Sequence, residues 1–453
     1  MTPSLAMTLL LGALTVSARH PAYFERDGRT FVPVGCNLCF CRGSEKMPEE
    51  KVLATYDAWF GKLATNGGNY ARLWLGDPFF DLTPISPTNY SAAAARHLRE
   101  VVRMAEARGI LLKLTLEHFR APEYPSEGAE IGLARFDRRI YLPYAKDIRA
   151  YFASEFCRAA YLRRAARYAE LVGGSPAVGV IELWNEANVH GGPEILDAWT
   201  RQMLVEAKRL FPRQLVVENL GSFSAPQSFE LYDWLASLKD TAFLQVHRYY
   251  DPGAELDVCR NPATDVWAAD AVRELRDRDR TRPALLAEAG AVEWNHAGPS
   301  KRYAADDEGV ILHDILFAPF FAGAAGSGQP WHWDHMYVDG KDLWFHFGRF
   351  AKAVAGFDPI AEKARPFSTE TPALRLYGLR GESTTLVWAR VKNDDGAVKK
   401  GLHLDICYPK DYTCYLPFED RTVGVGRDQA EWGCRLPDFR HSVVVRYPTV
   451  EAR

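Results

Sequence analysis

The sequence predicts an α/β chain: a (β/α)8 TIM barrel followed by a small all-β, sandwich-like C-terminal domain. Three observations carry that expectation. Short β-rich runs alternate strictly with longer helical patterns up to Phe357. Beyond Phe357 the helical period disappears and period-2 runs separated by turn residues replace it. Within the first part, polar and aromatic residues gather at the ends of the strand-like runs, whereas the run starts are plain Val, Leu, Ile and Ala.

The elements follow in order. Strands are predicted at 30–36, 69–75, 110–116, 177–183, 214–219, 242–247, 283–287 and 326–333. The helices that follow them are predicted at 49–64, 92–108, 153–171, 193–210, 228–238, 266–278, 307–321 and 343–354. Strict βα alternation implies parallel strands, and eight such units are the number that closes a barrel. An open doubly wound sheet competes, but no Gly-rich phosphate turn follows the first strand. The region 120–148 is a long insertion after the third strand. In the tail, strands are predicted at 373–379, 384–391, 401–407 and 442–447, with Asn393-Asp394-Asp395-Gly396 as a turn. The expected division is 19–357 for the barrel and 365–453 for the β domain.

A chain of 453 residues with 47% hydrophobic and 25% charged residues can bury one large core and a smaller one. A formal net charge of −3 gives no reason to expect a nucleic-acid partner or an anionic membrane surface. Aromatics reach 12%, with 12 Trp and 20 Tyr; a sugar cleft and a large aromatic core account for that equally well. The apolar run from Leu5 to Val16, followed by Ser17-Ala18, reads as a signal peptide over 1–18 and predicts a secreted or periplasmic protein with no membrane insertion after its removal. The alternative is a buried N-terminal segment, since no Lys or Arg precedes the run. Eight Cys fall partly into two clusters, Cys36, Cys39 and Cys41, and Cys407, Cys414 and Cys434. Export would permit disulfides within each cluster. The C-x-x-C-x-C run could instead bind metal, but no nearby His completes a zinc spacing. Oligomeric state is not legible.

In a barrel of this kind the active site lies at the C-terminal strand ends. These ends carry Asn37; Arg72 and Trp74; Glu117 and His118; Trp184, Asn185, Glu186 and Asn188; Glu218 and Asn219; His247 and Tyr249; Glu288; and Trp331, His332, Trp333 and Asp334. The run Leu183-Trp184-Asn185-Glu186 resembles clan A of the glycoside hydrolases, particularly the cellulase- and mannanase-like family five, where an Asn-Glu pair ends strand 4. Leu286-Ala287-Glu288 matches the second Glu, at the end of strand 7. The resemblance covers the barrel and, more loosely, the tail. It departs at Ala187, where the family usually has Pro, and in the long insertion.

The resemblance implies Glu186 as acid/base and Glu288 as nucleophile of a retaining hydrolase acting on β-linked poly- or oligosaccharide. It also implies substrate or site contacts from Arg72, His118, Asn185, His247, Tyr249 and Trp331. Register adds Asn37, Trp74, Trp333 and Asp334 as lining residues; of Trp331 and Trp333, one is expected to face the cleft and the other the core. Glu182 is read as a supporting carboxylate one period-2 step below Trp184, and Trp184 as a desolvating neighbour of Glu186. Two carboxylates suffice for this chemistry, so no metal or organic cofactor is implied. Alternatives are an exo-acting clan member of arabinofuranosidase or β-galactosidase type, and a non-catalytic sugar-binding barrel. The C-terminal domain shows no aromatic strip, which favours a packing role over polysaccharide binding.

Overall fold

A computed structural model describes residues 12–83, 90–118, 141–261, 263–405, 411–426 and 433–449. Most of the insertion expected over 120–148, and Cys407, lie outside the described residues. A small antiparallel sheet opens the chain: β1 (Thr15–Val16), β2 (Phe24–Arg26) and β3 (Arg29–Phe31). Leu14 and Ser17 are buried and Thr15 pairs with Glu25, so cleavage after Ala18 would remove the first strand of this sheet.

The barrel strands are β4 (Gly35–Asn37), β5 (Tyr70–Trp74), β6 (Leu111–Thr115), β7 (Val178–Glu182), β8 (Leu215–Val217), β9 (Leu244–Tyr250) and β10 (Ala284–Ala291). The first five form one parallel sheet in chain order, and β9 pairs in parallel with β10. β8 and β9 are linked by single bonds: Ala242 N donates to Val216 O (3.0 Å) and Phe223 N to His247 O (2.9 Å). The run expected over 30–36 divides between β3 in the N-terminal sheet and β4 in the barrel.

The eighth strand departs further from expectation. No regular ladder forms over 326–333, yet the backbone there still closes the barrel. Gln329 N donates to Leu286 O (3.0 Å) and Trp331 N to Ala289 O (2.8 Å) on one side. Ser327 N donates to Pro33 O (2.9 Å), and Asn37 N to Pro330 O (3.2 Å), on the other. Pro330 has no N–H to give a ladder. A Cβ on Gly326 would lie 2.5 Å from Pro33 O, and one on Gly328 would lie 2.2 Å from Ile315 O, so glycine is what lets this segment enter the gap.

The surrounding helices are α1 (Glu49–Thr65), α2 (Ala92–Ala107), α3 (Ile148–Ala153), α4 (Glu155–Val172), α5 (Pro193–Leu210), α6 (Gln227–Ser237), α7 (Asp257–Arg260), α8 (Thr264–Arg278), α9 (Arg302–Ala305), α10 (Val310–Phe321) and α11 (Phe345–Val354). Caps explain several boundaries: Ser91 Oγ accepts from Ala94 N (3.1 Å) before α2, and Pro193 opens α5. Among the described residues no helix is long and apolar enough to cross a membrane.

The tail forms a six-stranded antiparallel sheet in the order β11-β12-β13-β18-β15-β16, with a two-stranded ribbon, β14 (His403–Leu404) with β17 (Cys434–Arg435), as the thin second layer. The sheet strands are β11 (Arg365–Glu370), β12 (Leu374–Arg380), β13 (Thr384–Val391), β15 (Asp411–Leu416), β16 (Arg421–Gly426) and β18 (Ser442–Pro448). Its two faces divide with period 2. Tyr377, Leu379, Leu386, Trp388, Tyr415 and Val444 join the barrel core, while Leu374, Leu376, Val387, Ala389, Val443 and Val445 build a separate core. The sheet is thus joined to the barrel by one face of its four central strands, β12, β13, β18 and β15. Cys36, Cys39 and Cys41 are buried thiols and form no disulfide with one another; burial alone explains three small apolar side chains there.

Candidate active site

The C-terminal strand ends converge on Arg72. This side chain is fully buried on β5 and bonds to side chains of β4, β6, β7 and β10, donating from Nε to Thr115 Oγ1 of β6 at 3.1 Å. Its Nη1 donates to Glu288 Oε2 (2.7 Å) and Asn37 Oδ1 (3.3 Å), its Nε to Glu182 Oε1 (3.0 Å), and its Nη2 to Asn185 Oδ1 (2.6 Å) and Glu182. Tyr249 donates its hydroxyl to the other oxygen of Glu288 (2.5 Å). Glu288 therefore carries a donor on each oxygen, the arrangement that holds a carboxylate ionised. A register shift between Leu286 and Glu288 against β9 re-aims this side chain.

Glu186 follows β7 in a left-handed conformation (φ 50°, ψ 48°), rare for a residue with a side chain. Asn219 Oδ1 accepts from its N–H (2.6 Å), and a Cβ on Gly221 would lie 3.4 Å from its carboxyl carbon. His247 on β9 stands between the two acids. Its Nδ1 is 2.7 Å from Glu186 Oε1 and 3.5 Å from Glu288 Oε2. One oxygen of Glu186, one of Glu288 and one ring nitrogen of His247 all lie within 4.8 Å of one another. Such a trio could hold a cation, but Glu288 already receives Arg72 and Tyr249, and the guanidinium would repel a metal at that place.

The electrostatics separate the two acids. Burial, then repulsion from Glu288, pushes Glu186 well above the usual carboxylate range. Burial leaves Glu288 raised as well, but less than Glu186, because Arg72 and Tyr249 pull against it. Burial and the Arg72 charge drive His247 well below the usual imidazole range, so it is neutral. Under Arg72 lies a polar layer that the sequence reading missed. Lys113 Nζ is 3.0 Å from Glu182 Oε2 and donates to Gln245 Oε1 (2.7 Å), while Gln245 Nε2 donates to Glu182 Oε2 (2.7 Å). Against burial, Arg72 and Lys113 hold Glu182 far below the usual range. In this layer the two cations Arg72 and Lys113 face the carboxyl groups of Glu182 and Glu288. The signal was present: Lys113, Thr115 and Glu117 are alternate polar residues in an otherwise leucine-rich strand.

The remaining expected residues sort by depth. Trp331 is partly exposed and packs 5.1 Å from Trp74, whereas Trp333 is buried against Trp59 of α1 (6.2 Å). Trp74 is buried beneath Trp331 and stacks on His118 (4.4 Å). Asp334 is buried, 3.4 Å from the partly exposed Arg42. Asn185 is buried with its Nδ2 lacking a protein partner. Asn37 does not line the cleft: it is fully buried, its Nδ2 bonded to Ala287 O, Gln329 O and Pro330 O (3.2–3.3 Å), so it ties the closing segment to Arg72.

Trp184 faces away from Glu186, into Phe152, Trp199 and Tyr161 of the helix layer, because the strand ends at Glu182 and the alternation breaks there. Glu117 is bonded to Arg164 of α4, and Glu218 is fully buried.

The fold is similar to that of solved glycoside hydrolase barrels. A glycoside hydrolase family 5 structure from Bacteroides vulgatus ATCC 8482 aligns over 96% of this chain and 93% of its own, at TM-score 0.60 and 11% identity. The endo-1,4-β-mannanase of Rhizomucor miehei aligns over 76% and 99% (TM-score 0.54, 14% identity), and the exo-β-1,4-mannosidase of Opitutaceae bacterium strain TAV5 over 74% and 62% (0.52, 18%). No family model matches the sequence, and no curated protein is recognisably similar to it.

Proposed function

We propose that this chain is a retaining glycoside hydrolase that cleaves β-glycosidic bonds in a poly- or oligosaccharide. The observation that carries the reading is a pair of acids with an oxygen of each within 4.8 Å of the other: Glu288, buried and clamped by Arg72 and Tyr249, and Glu186, half-buried and pushed towards protonation. Carboxyl groups stand about 5–5.5 Å apart in a retaining pair and about 6.5–9.5 Å apart in an inverting one, and oxygens this close support the retaining arrangement.

In the first step Glu288 attacks the anomeric carbon, the glycosidic C–O bond breaks, and Glu186 gives its proton to the departing oxygen. In the second, Glu186 takes a proton from water, the water oxygen attacks the anomeric carbon, and Glu288 leaves as carboxylate. Asn185 Nδ2 is available to donate to the sugar 2-hydroxyl, and the Trp331 face to carry the ring. The solved neighbours include both an endo-mannanase and an exo-mannosidase, so β-mannan and aryl β-mannoside head the substrate panel beside other β-glycosides. An exo-acting enzyme remains the second reading, from the long insertion after β6.

The test is azide rescue. In Glu288→Gly, azide enters from the α face of an activated β-glycoside and should give the α-glycosyl azide. In Glu186→Gly, azide attacks the glycosyl-enzyme from the β face and should give the β-glycosyl azide, with good leaving groups only. Opposite products would exchange the two roles. No rescue in either variant, with inversion by the wild type, would remove the double displacement.

A further inference from the structure

A cavity of about 450 Å³ opens between α8, the turn after α10 and β11. The helix α8 ends here just before β10 begins, so the cavity lies on the face of the barrel opposite Glu186 and Glu288. Its walls carry Arg273, Arg276, Arg280 and Arg365, with Asp277 as the single acid and Pro366 and Phe367 as an apolar side. Four guanidinium groups against one carboxylate stand out in a chain whose formal net charge is −3.

That charge is not neutralised internally. Asp277 pairs with Arg280 at 3.1 Å, but both side chains are about 70% exposed, so the pair is weak. Arg276 donates to the carbonyl of Gly323 (3.1 Å) and Arg273 lies over the Tyr377 ring (5.5 Å); among the described residues neither forms a salt bridge with a carboxylate, and Arg365 forms no ion pair. Arg365 also sits directly opposite Arg380 in the β11–β12 ladder, a like-charge pairing that strands avoid. Cations at the end of a helix are favoured by its dipole, which accounts for Arg276 and Arg280. It does not account for Arg365, which belongs to a strand. Burial depresses Arg276, and Arg280 adds to this, while Tyr23 and Asp277 pull the other way.

We propose that this cavity binds an oxyanion, a phosphate or sulfate group carried free or on a sugar-sized body. Planar guanidinium forks match tetrahedral oxyanions with paired N–H···O bonds, and an anion here would relieve the repulsion among four cations. The volume exceeds that of a bare anion and falls within the range of small-ligand pockets. The inference is independent of the glycosidase reading.

Calorimetric titration of the full chain at low salt with inorganic pyrophosphate, mannose 6-phosphate and neutral mannose tests it. At least one of the anions should bind one to one, and mannose should not. Arg365→Gln, at an exposed position on an edge strand, should weaken that binding by about tenfold or more, and Asp277→Asn should tighten it. Pyrophosphate alone would identify a free anion, and mannose 6-phosphate binding at least as tightly would identify a sugar-borne one; both uphold the proposal. No binding of either anion, or equal affinity in wild type, Arg365→Gln and Asp277→Asn, would overturn it.

Discussion

Lys113 shows how far the chemistry of Glu288 depends on residues that never touch substrate. The cluster around Arg72 sets two cations, Arg72 and Lys113, against the carboxyl groups of Glu182 and Glu288, and burial has already pushed Lys113 down to about 8. Lys113→Met leaves Arg72 alone against Glu182 and Glu288. The proton affinity of Glu288 should then rise, and the acid limb of the kcat/KM profile should move to higher pH. Breaking one side of a buried pair should also cost about 3–5 kcal/mol of stability. Adding Glu182→Gln restores the balance and should return the acid limb towards wild type. A limb that stays put in Lys113→Met, or fails to return in the double variant, would remove the electrostatic link. At this scale the two acids were legible because they end strands 4 and 7 of a recognisable barrel. Lys113 and Gln245 were not, because a charged side chain inside an apolar strand can be placed only when its partner strands are known. Trp184 misled for a different reason: alternation was extended beyond Glu182, where the strand stops.

At the scale of elements, helices with a clear cap were placed closely, and α5 and β13 occupy the expected ranges. The eighth strand was legible as a position in the barrel but not as irregular backbone, since glycine and proline there answer to neighbours distant in sequence. Gly328 makes this testable. A methyl group at that position would lie 2.2 Å from the carbonyl of Ile315 in α10 and 3.1 Å from Pro319 Cγ, so backbone must move. Gly328→Ala should lower stability by about 1–3 kcal/mol, the usual cost of overpacking. Trp331 stands three residues further on and is bonded through its N–H to β10, so KM for an oligosaccharide should rise as well. A melting temperature equal to wild type would show that α10 yields freely and that close approach does not explain the glycine.

For the whole molecule, the C-terminal sheet is held to the barrel by apolar packing and by buried ionic contacts that join residues far apart in sequence, which is why their pairing could not be read beforehand. Arg390 of β13 donates from Nε to Asp314 Oδ1 of α10 (2.7 Å), and Arg375 of β12 donates from Nη2 to Asp265 Oδ1 of α8 (2.8 Å). Asp394 links this seam to His441, accepting from Arg390 Nη1 (2.5 Å) and lying 2.6 Å from His441 Nδ1. Burial alone would lower the His441 pKa, but the bonds to Asp394 and Glu308 outweigh it and raise it above the ordinary histidine value. A group raised in the folded state stabilises the fold when protonated. Its contribution is complete below the ordinary value and disappears as pH climbs through the raised one. His441→Gln should therefore melt below wild type at about pH 5–6 and approach it at about pH 9. Scanning calorimetry of both proteins across that range measures the difference directly. A gap that stays constant with pH would assign His441 a packing role only, and a gap that widens towards alkaline pH would reverse the sign of its coupling to Asp394.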